Sequence, residues 1–207
     1  MGLFKRFLGQ TRKPEGFFGK LMLNAMNQGH AALSDWGLSH IEGLSPLVIA
    51  ELGCGGGRNV RELLRRYPMA KVYAVDYSAL AVCRTRAYNK PDIVKGRCRV
   101  LKASVQSLPL AASRFDFATA FETVYFWPDP AECFAEVYRI LKCGGSFLIC
   151  NESDGTDAEG LRYERIIDGM HCYTAEELET LLRTAGFSEV RVFRHESKPW
   201  LTVLAKK

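Results

Sequence analysis

Short apolar runs alternate with segments of helical periodicity along most of the chain. The run at 47–50 is apolar without alternation, which indicates a strand buried on both faces of a parallel sheet. Further runs that predict strands lie at 71–75, 98–101, 115–121 and 146–150. Between them, apolar residues recur every three or four positions, which predicts helices at 60–67, 79–88 and 132–141, the last closed by Gly144 and Gly145 as a C-cap. This alternation predicts an α/β fold with a doubly wound, mostly parallel sheet.

The carboxyl-terminal part of the chain breaks the alternation. A helix is predicted over 174–185, where Thr174 and Glu177 are spaced as a capping box. Two strands follow, at 189–194 and 200–205, and the HESKP segment between them is too short for a crossover helix. We therefore expect a seven-stranded sheet that ends in an antiparallel hairpin strand.

A glycine-rich turn joins the first predicted strand to the first helix. Glu51 ends the strand, and glycines follow at 53, 55, 56 and 57. Strand, glycine turn and helix together are typical of a nucleotide-binding half-site. A dinucleotide fingerprint needs glycine at its sixth position, where this chain has Arg58. A nicotinamide-dependent oxidoreductase is therefore a disfavoured alternative.

The acid-x-Gly-x-Gly-x-Gly pattern of residues 51–57 and the terminal hairpin carry a family resemblance. Over about residues 45–207 the chain resembles the class I, Rossmann-like S-adenosylmethionine-dependent methyltransferases of the small-molecule type. The resemblance implies S-adenosylmethionine as the cofactor and a small molecule as the methyl acceptor. The cofactor-binding residues that it implies are Gly29, His30, Glu51, Gly53, Gly55, Asn59, Asp76, Tyr77, Ser104, Val105 and Glu122.

In this family the cofactor lies across the carboxyl ends of the strands. The resemblance implies that Gly53 and Gly55 let the backbone approach the cofactor, while Glu51 orients its ammonium end. Asp76 follows the second predicted strand and would accept both ribose hydroxyls, with Tyr77 beside the adenine. The alternative for Asp76 is that it only caps the helix that follows.

The stretch after the third predicted strand is expected to meet the adenine. Family members commonly carry Asp where this chain has Ser104, so the hydrogen bond to the adenine amino group would be weaker. Ser104 and the backbone of Val105 can still serve as partners. The alternative is an ordinary surface loop.

Residues after the fourth predicted strand are those that family members place beside the reactive methyl group. The chain lacks the Asn-Pro-Pro-Tyr sequence of the amide N-methyltransferases there, which disfavours a DNA base or a glutamine amide as acceptor. Glu122 would face the sulfonium or the acceptor, and it would need burial to act as a general base. Tyr125 and Trp127 would form an aromatic wall favourable to a cation, or else belong to the core. His171 is a further candidate base.

The resemblance also divides the chain. Residues 1–45 would form a helical lid, and residues 46–207 would form the Rossmann-like cofactor domain. Gly29 and His30 belong to the lid, although a lone histidine is more often structural. The polar stretch at 152–173 would form the substrate side of the site.

Composition and charge narrow the classes of partner. The 207 residues fit one domain. The net charge is +5, but the basic residues are scattered along the chain, so no nucleic-acid partner is expected. Seven cysteines show no C-x-x-C pair and no metal-ligand spacing, which predicts free thiols in the cytoplasm and no metal site. No apolar run approaches the roughly 18 residues that a membrane span needs, so no membrane role is expected.

Methyl transfer from a sulfonium to a small molecule is the function that these features favour. The donor is already activated for SN2 displacement, so proximity and alignment suffice and no catalytic triad is needed. A catalytically idle protein that binds S-adenosylmethionine as part of a partnership is the alternative from another class. The oligomeric state is left open.

Overall fold

The computed structural model describes residues 29–207. Its strands are β1 (Val48–Leu52), β2 (Lys71–Asp76), β3 (Cys98–Lys102), β4 (Phe115–Phe121), β5 (Leu141–Asn151), β6 (Glu189–Arg194) and β7 (Leu201–Lys206). Its helices are α1 (Ala31–Ser39), α2 (Arg58–Arg66), α3 (Ala79–Tyr88), α4 (Lys90–Val94), α5 (Pro130–Ile140), α6 (Ala158–Ile166) and α7 (Ala175–Thr184), with a 3₁₀ turn at Val124–Phe126.

The seven strands form one sheet in the order β3-β2-β1-β4-β5-β7-β6. β1 to β5 pair in parallel, while β7 lies antiparallel between β5 and β6. This confirms the predicted fold class, including the antiparallel terminal hairpin. β2 and β3 lie on one side of β1, whereas β4 and β5 lie on the other, so the strand order reverses between β1 and β4. Such a reversal opens a crevice at the carboxyl ends of the strands.

Helices cover both faces of the sheet. α1 and α2 pack on one face, where Leu33 and Leu63 share a buried cluster with Phe117 of β4. α5 and α7 cover the other face, and there Phe134 shares a second cluster with Phe147 of β5. Burial on both faces explains why the central strands read as continuous apolar runs.

The junction between α5 and β5 differs from the prediction. Gly144 and Gly145 lie inside β5, and the helix is capped by Leu141 instead. The pairing of β4 with β5 skips from Phe115–Leu141 to Phe117–Ser146, and Gly144 has φ +77°. The two glycines therefore serve a bulge at the start of the strand, because a left-handed residue lets the extra residues loop out.

The predicted lid is described only from residue 29 onward, and residues 1–28 lie outside the described part. α1 packs directly on β5, since a Cβ on Gly37 would lie 2.6 Å from the Cys150 Sγ. Arg58 at the start of α2 forms an ion pair with Asp35 of α1 at 2.7 Å. The end of the predicted lid is thus part of the helical layer, and lid motion stays a prediction.

The stretch at 152–173 contains a helix that the sequence pattern did not predict. Asp157 caps α6, accepting from the Gly160 N–H at 2.7 Å. Gly160 is the one buried residue of this helix. The helix therefore has no buried apolar face, and its sequence shows no apolar periodicity that would predict it. Within residues 29–207, no helix has both the length and the hydropathy needed to cross a membrane.

Candidate active site

The glycine turn after β1 is fixed by its neighbours. The N–H groups of Gly53 and Cys54 donate to the carbonyl of Val75 at 2.8 and 3.0 Å. Gly53 has φ +84°, and a Cβ there would lie 2.2 Å from the Thr123 Oγ1. Backbone conformation and packing therefore both require glycine at this position. The requirement comes from the protein's own contacts as well as from the expected approach of a cofactor.

Asp76 connects the glycine turn to the start of α3. Its Oδ2 accepts from the Gly55 N–H at 2.9 Å, and its Oδ1 accepts from the Ser78 N–H at 2.8 Å. The helix itself is capped by the Ser78 hydroxyl, which accepts from the Ala81 N–H. Burial raises the pKa of Asp76, and the backbone N–H groups oppose that rise. The Tyr77 N–H also donates to Asp76, so three of the roughly four acceptor sites of the carboxylate are taken within the protein, and the binding of ribose hydroxyls by Asp76 stays a prediction.

Glu51 lies beneath the turn and is 1% exposed. Its carboxyl group accepts a hydrogen bond from the Thr119 hydroxyl of β4. Burial raises the pKa of Glu51 to about 8, and the charge of Asp76 acts in the same direction. The side chain is thus mostly neutral at pH 7, and it would act on a cofactor through an intervening group.

A cleft opens beside the glycine turn at the carboxyl ends of β1 and β4. It is lined by His30, Ser34, Gly53, Cys54, Gly55, Gly56, Arg58, Asn59, Phe121 and Glu122. The side chain of Ser34 is buried, and its hydroxyl has no hydrogen-bond partner within the described part of the chain. Leaving a buried hydroxyl without a partner is costly, so this cleft fits a polar ligand. Sequence patterns missed Ser34, which lies in a helix without any recognisable motif.

Glu122 stands at the boundary of the cleft in a strained conformation. Its φ is +58°, a left-handed value that is costly for a residue with a side chain and is often found at functional sites. Its Oε1 accepts from the Tyr125 hydroxyl at 3.1 Å and from the Glu152 N–H. Burial, together with the charge of Glu152, raises the pKa of Glu122 to about 8.

A cavity of about 380 Å³ lies on the far side of Glu122. It is lined by Glu122, Tyr125, Glu152, Ser153, Asp157, Glu159, Gly160, Tyr163, Met170, Lys198, Pro199 and Trp200. The Tyr125 hydroxyl accepts from the Ser153 N–H at 3.0 Å, and burial raises the pKa of Tyr125. Tyr125 therefore stays protonated and positions Glu122. Sequence patterns missed Lys198, Pro199 and Trp200, which lie in the loop between β6 and β7. This loop is far in sequence from the other residues that line the cavity.

Three side chains at this boundary have the composition of a cation site. Ligand atoms of His30, Glu122 and Glu152 lie within 4.8 Å of one another. They come from three separate segments, so sequence spacing could not predict the group. One imidazole nitrogen and two carboxylates suit a divalent metal ion or an organic cation.

The residues expected around the adenine lie at the ends of β2 and β3. Tyr77 is 40% exposed, Ser104 accepts from the Gln106 N–H through its hydroxyl, and Val105 is buried in the core. Gly29 is exposed, with nothing near the position of a Cβ. The binding roles of these four residues stay predictions.

His171 is joined to Tyr125 through the backbone, since its N–H donates to the Tyr125 carbonyl at 2.9 Å, while its ring lies beside two glutamates. Its Nδ1 is 3.3 Å from Glu164 Oε1, and its Nε2 is 3.6 Å from Glu177 Oε1. Met170, the preceding residue, lines the cavity in its place. Trp127 belongs to the core, where its ring stacks on Phe147. Of the predicted Tyr125–Trp127 pair, only Tyr125 lines the cavity, together with Tyr163 and Trp200.

The sheet order, the glycine turn after β1 and the acid after β2 define the fold of a class I S-adenosylmethionine-dependent methyltransferase. The cleft suits a polar cofactor, because it contains the buried hydroxyl of Ser34, which has no partner among residues 29–207. The cofactor-binding roles of Gly53 and Asp76 stay predictions. Residues 50–149 match the model of the family described as "Methyltransferase domain", so this part of the chain is a domain of that family.

Known relatives and solved structures agree with this assignment. The chain is 31% identical over 108 residues to the rice (Oryza sativa subsp. japonica) protein named cycloartenol-C-24-methyltransferase 1, covering 52% of this chain and 31% of the relative. It is 30% identical to a malonyl-[acyl-carrier protein] O-methyltransferase of Geobacter sulfurreducens, and the match covers 73% of this chain and 60% of that relative. The structure of a SAM-dependent methyltransferase from Aquifex aeolicus superposes with a TM-score of 0.74 at 19% identity, covering 89% of this chain and 96% of that one. The chain spans less than two thirds of the length of these two curated relatives. Its cofactor is S-adenosylmethionine.

Proposed function

We propose that the protein transfers the methyl group of S-adenosylmethionine to a small-molecule acceptor bound in the 380 Å³ cavity. One observation carries this proposal: Glu122 borders both the cofactor cleft and the cavity. An acceptor in the cavity and a cofactor in the cleft would meet at this residue. When bound, the cofactor supplies a methyl group on a sulfonium, which is already activated for SN2 displacement.

The chain's own residues would bind and orient the two reactants. Asp76 would accept from the ribose hydroxyls, and the hydroxyl of Ser34 would take a polar group of the cofactor. Glu122 holds a proton at neutral pH in the empty site, and a cation beside it would favour the carboxylate. Alignment of this kind is the main requirement for transfer from an activated donor.

Relatives do not name the acceptor. The rice relative is named for a sterol and the Geobacter relative for a malonyl-acyl carrier protein, so related domains act on unlike molecules. The acceptor has therefore to be inferred from the cavity of this chain. All seven cysteines are free thiols, which supports our proposal of a cytoplasmic location.

Calorimetric titration with S-adenosylmethionine, S-adenosylhomocysteine and NADH tests the cofactor half of the proposal. Wild type should bind both sulfur nucleosides and not NADH, and Asp76→Asn should weaken binding by about tenfold, as expected for lost hydrogen bonds to a charged group. Asp116→Asn is the matched control. Asp116 also accepts two backbone N–H groups, from Leu47 and Val48, but at the amino ends of the strands.

Binding of NADH, or equal losses in both variants, would contradict the assigned cleft. Turnover is then measured as S-adenosylhomocysteine released when labelled cofactor is incubated with a small-molecule extract. Tight cofactor binding without any release would favour the idle binding protein over the enzyme.

A further inference from the structure

Acidic side chains outnumber basic ones in the acceptor cavity. Four carboxylates line it, against the single amino group of Lys198. Two of these carboxylates have local roles: Asp157 caps α6, and Glu159 lies 3.4 Å from the Tyr163 hydroxyl. The other two, Glu122 and Glu152, lie where the cavity meets the cofactor cleft.

Among residues 29–207, Glu122 and Glu152 share one ion-pair partner at this boundary, the ring of His30. Their Oε2 atoms lie 3.9 and 3.5 Å from the His30 Nε2. The side chain of Glu152 is 54% exposed and that of Glu122 is 12% exposed, so a ligand can reach Glu152 directly. Among residues 29–207, no lysine or arginine forms an ion pair with either acid, so the exposed Glu152 carboxylate gives this end of the cavity a negative potential.

Aromatic rings also line the cavity. The Lys198 Nζ lies 3.9 Å from the centroid of the Trp200 ring, and Trp200 is itself buried. Tyr125 and Tyr163 line the same space. The chain thus already places one ammonium group against an aromatic face here, an arrangement that attracts cations through the ring quadrupole.

We propose that the methyl acceptor is a small primary or secondary amine, bound as its ammonium ion by Glu122, Glu152 and the aromatic rings. This inference rests on the proposed function, because it assigns the acceptor of that same site. A neutral alcohol would gain little from the Glu152 carboxylate, and a carboxylate acceptor would be repelled by it.

An ammonium ion has no lone pair and must lose a proton before it can attack. As the ammonium ion binds, Glu122 releases its own proton to solvent, and the resulting carboxylate then takes a proton from the nitrogen. The freed nitrogen lone pair then forms the N–C bond to the methyl carbon, while the C–S bond breaks and its electron pair stays on sulfur. The products are the methylated ammonium ion and neutral S-adenosylhomocysteine, and the proton leaves Glu122 for solvent.

Binding of matched probes to the complex with S-adenosylhomocysteine tests the inference without turnover. The full chain is first dialysed against EDTA, so that no metal ion occupies the group at His30. Phenethylammonium, 2-phenylethanol and 3-phenylpropanoate share one skeleton and differ in charge. We expect the ammonium probe to bind about tenfold more tightly than the alcohol, as one cation–π contact and one ion pair would give. Equal or tighter binding of the alcohol or the carboxylate would overturn the inference.

Two variants locate the preference. Glu152→Gln should reduce the preference for the ammonium probe severalfold, whereas Glu196→Gln, an exposed acid in the same region that does not line the cavity, should leave it unchanged. Equal effects of both variants would mean that only bulk charge matters and would overturn the assigned site. A Lys198→Gln variant should bind the ammonium probe at least as well as wild type, and a loss would indicate an anionic acceptor instead.

Failure of this inference is distinguishable from failure of the proposed function. If S-adenosylhomocysteine does not bind, both fail. If it binds and the cavity shows no preference for the ammonium probe, only the amine acceptor is wrong. A methyl transfer assay with the same three probes, read by the mass of the product, should show N-methylation alone.

Discussion

Replacing Glu51 with glutamine should stabilise the empty protein at alkaline pH. The carboxyl group lies 1% exposed beneath the glycine turn, and glutamine can still accept from the Thr119 hydroxyl. In the folded protein the carboxyl ionises only at about pH 8, whereas in the unfolded chain it ionises near its ordinary value of 4.5. Between these two values the folded state binds more protons than the unfolded state. Stability therefore falls as pH rises through this window.

The size of the effect follows from the gap between the two pKa values. A gap from 4.5 to about 8 corresponds to at most about 5 kcal/mol, at about 1.4 kcal/mol for each pH unit. Between pH 5.5 and 8.5, Glu51 alone should remove about 3 kcal/mol of the free energy of unfolding. Glu122 titrates in the same range and should add a similar slope, but that slope is common to wild type and the variant.

Urea unfolding of the cofactor-free protein at several pH values measures this difference. The free energy of unfolding of wild type should decline from pH 5.5 to 8.5 more steeply than that of Glu51→Gln. Glu42→Gln, a change at an exposed glutamate, should follow wild type throughout. If wild type and Glu51→Gln show the same slope, Glu51 is not a buried neutral acid and the reasoning is refuted.

Two further predictions concern the cleft. Gly53→Ala should lower the free energy of unfolding by about 2 kcal/mol more than Gly43→Ala, because both glycines have φ above +80° but only the new Cβ at Gly53 meets a side chain, that of Thr123; equal losses in urea unfolding would argue against this collision. Ser34→Ala should leave stability unchanged or slightly higher, since it removes a buried hydroxyl with no partner among residues 29–207, and should weaken S-adenosylhomocysteine binding severalfold in calorimetry. Unchanged affinity would mean that Ser34 does not face the cofactor.

Sequence patterns predicted helices and strands best where the deciding contacts are between residues close together in the chain. The helix Ala79–Tyr88 and the strands Phe115–Phe121 and Glu189–Arg194 have the bounds predicted, and the capping box of Thr174 and Glu177 is present. The short helix Lys90–Val94 was also not predicted. Two further exceptions are a glycine pair read as a helix end and a helix in the polar stretch, Ala158–Ile166. In both, the signal depended on contacts with another element.

The acceptor side was beyond sequence reasoning for the same reason. Glu122 was identified by its place after a strand, but its left-handed backbone and its nearness to His30 arise from packing. The cavity wall at Trp200 is supplied by a hairpin almost eighty residues further on. No periodicity or spacing links positions so far apart in the chain.

Sequence by itself determined the fold class and the cofactor of this protein. Apolar runs set the strands, and the glycines between Glu51 and Arg58 set a turn that only a few ligands fit. The tertiary structure decided which acids are buried, which hydroxyl lacks a partner and which side chains share a cavity. These properties depend on desolvation and on distances between segments, and both exist only once the sheet has assembled.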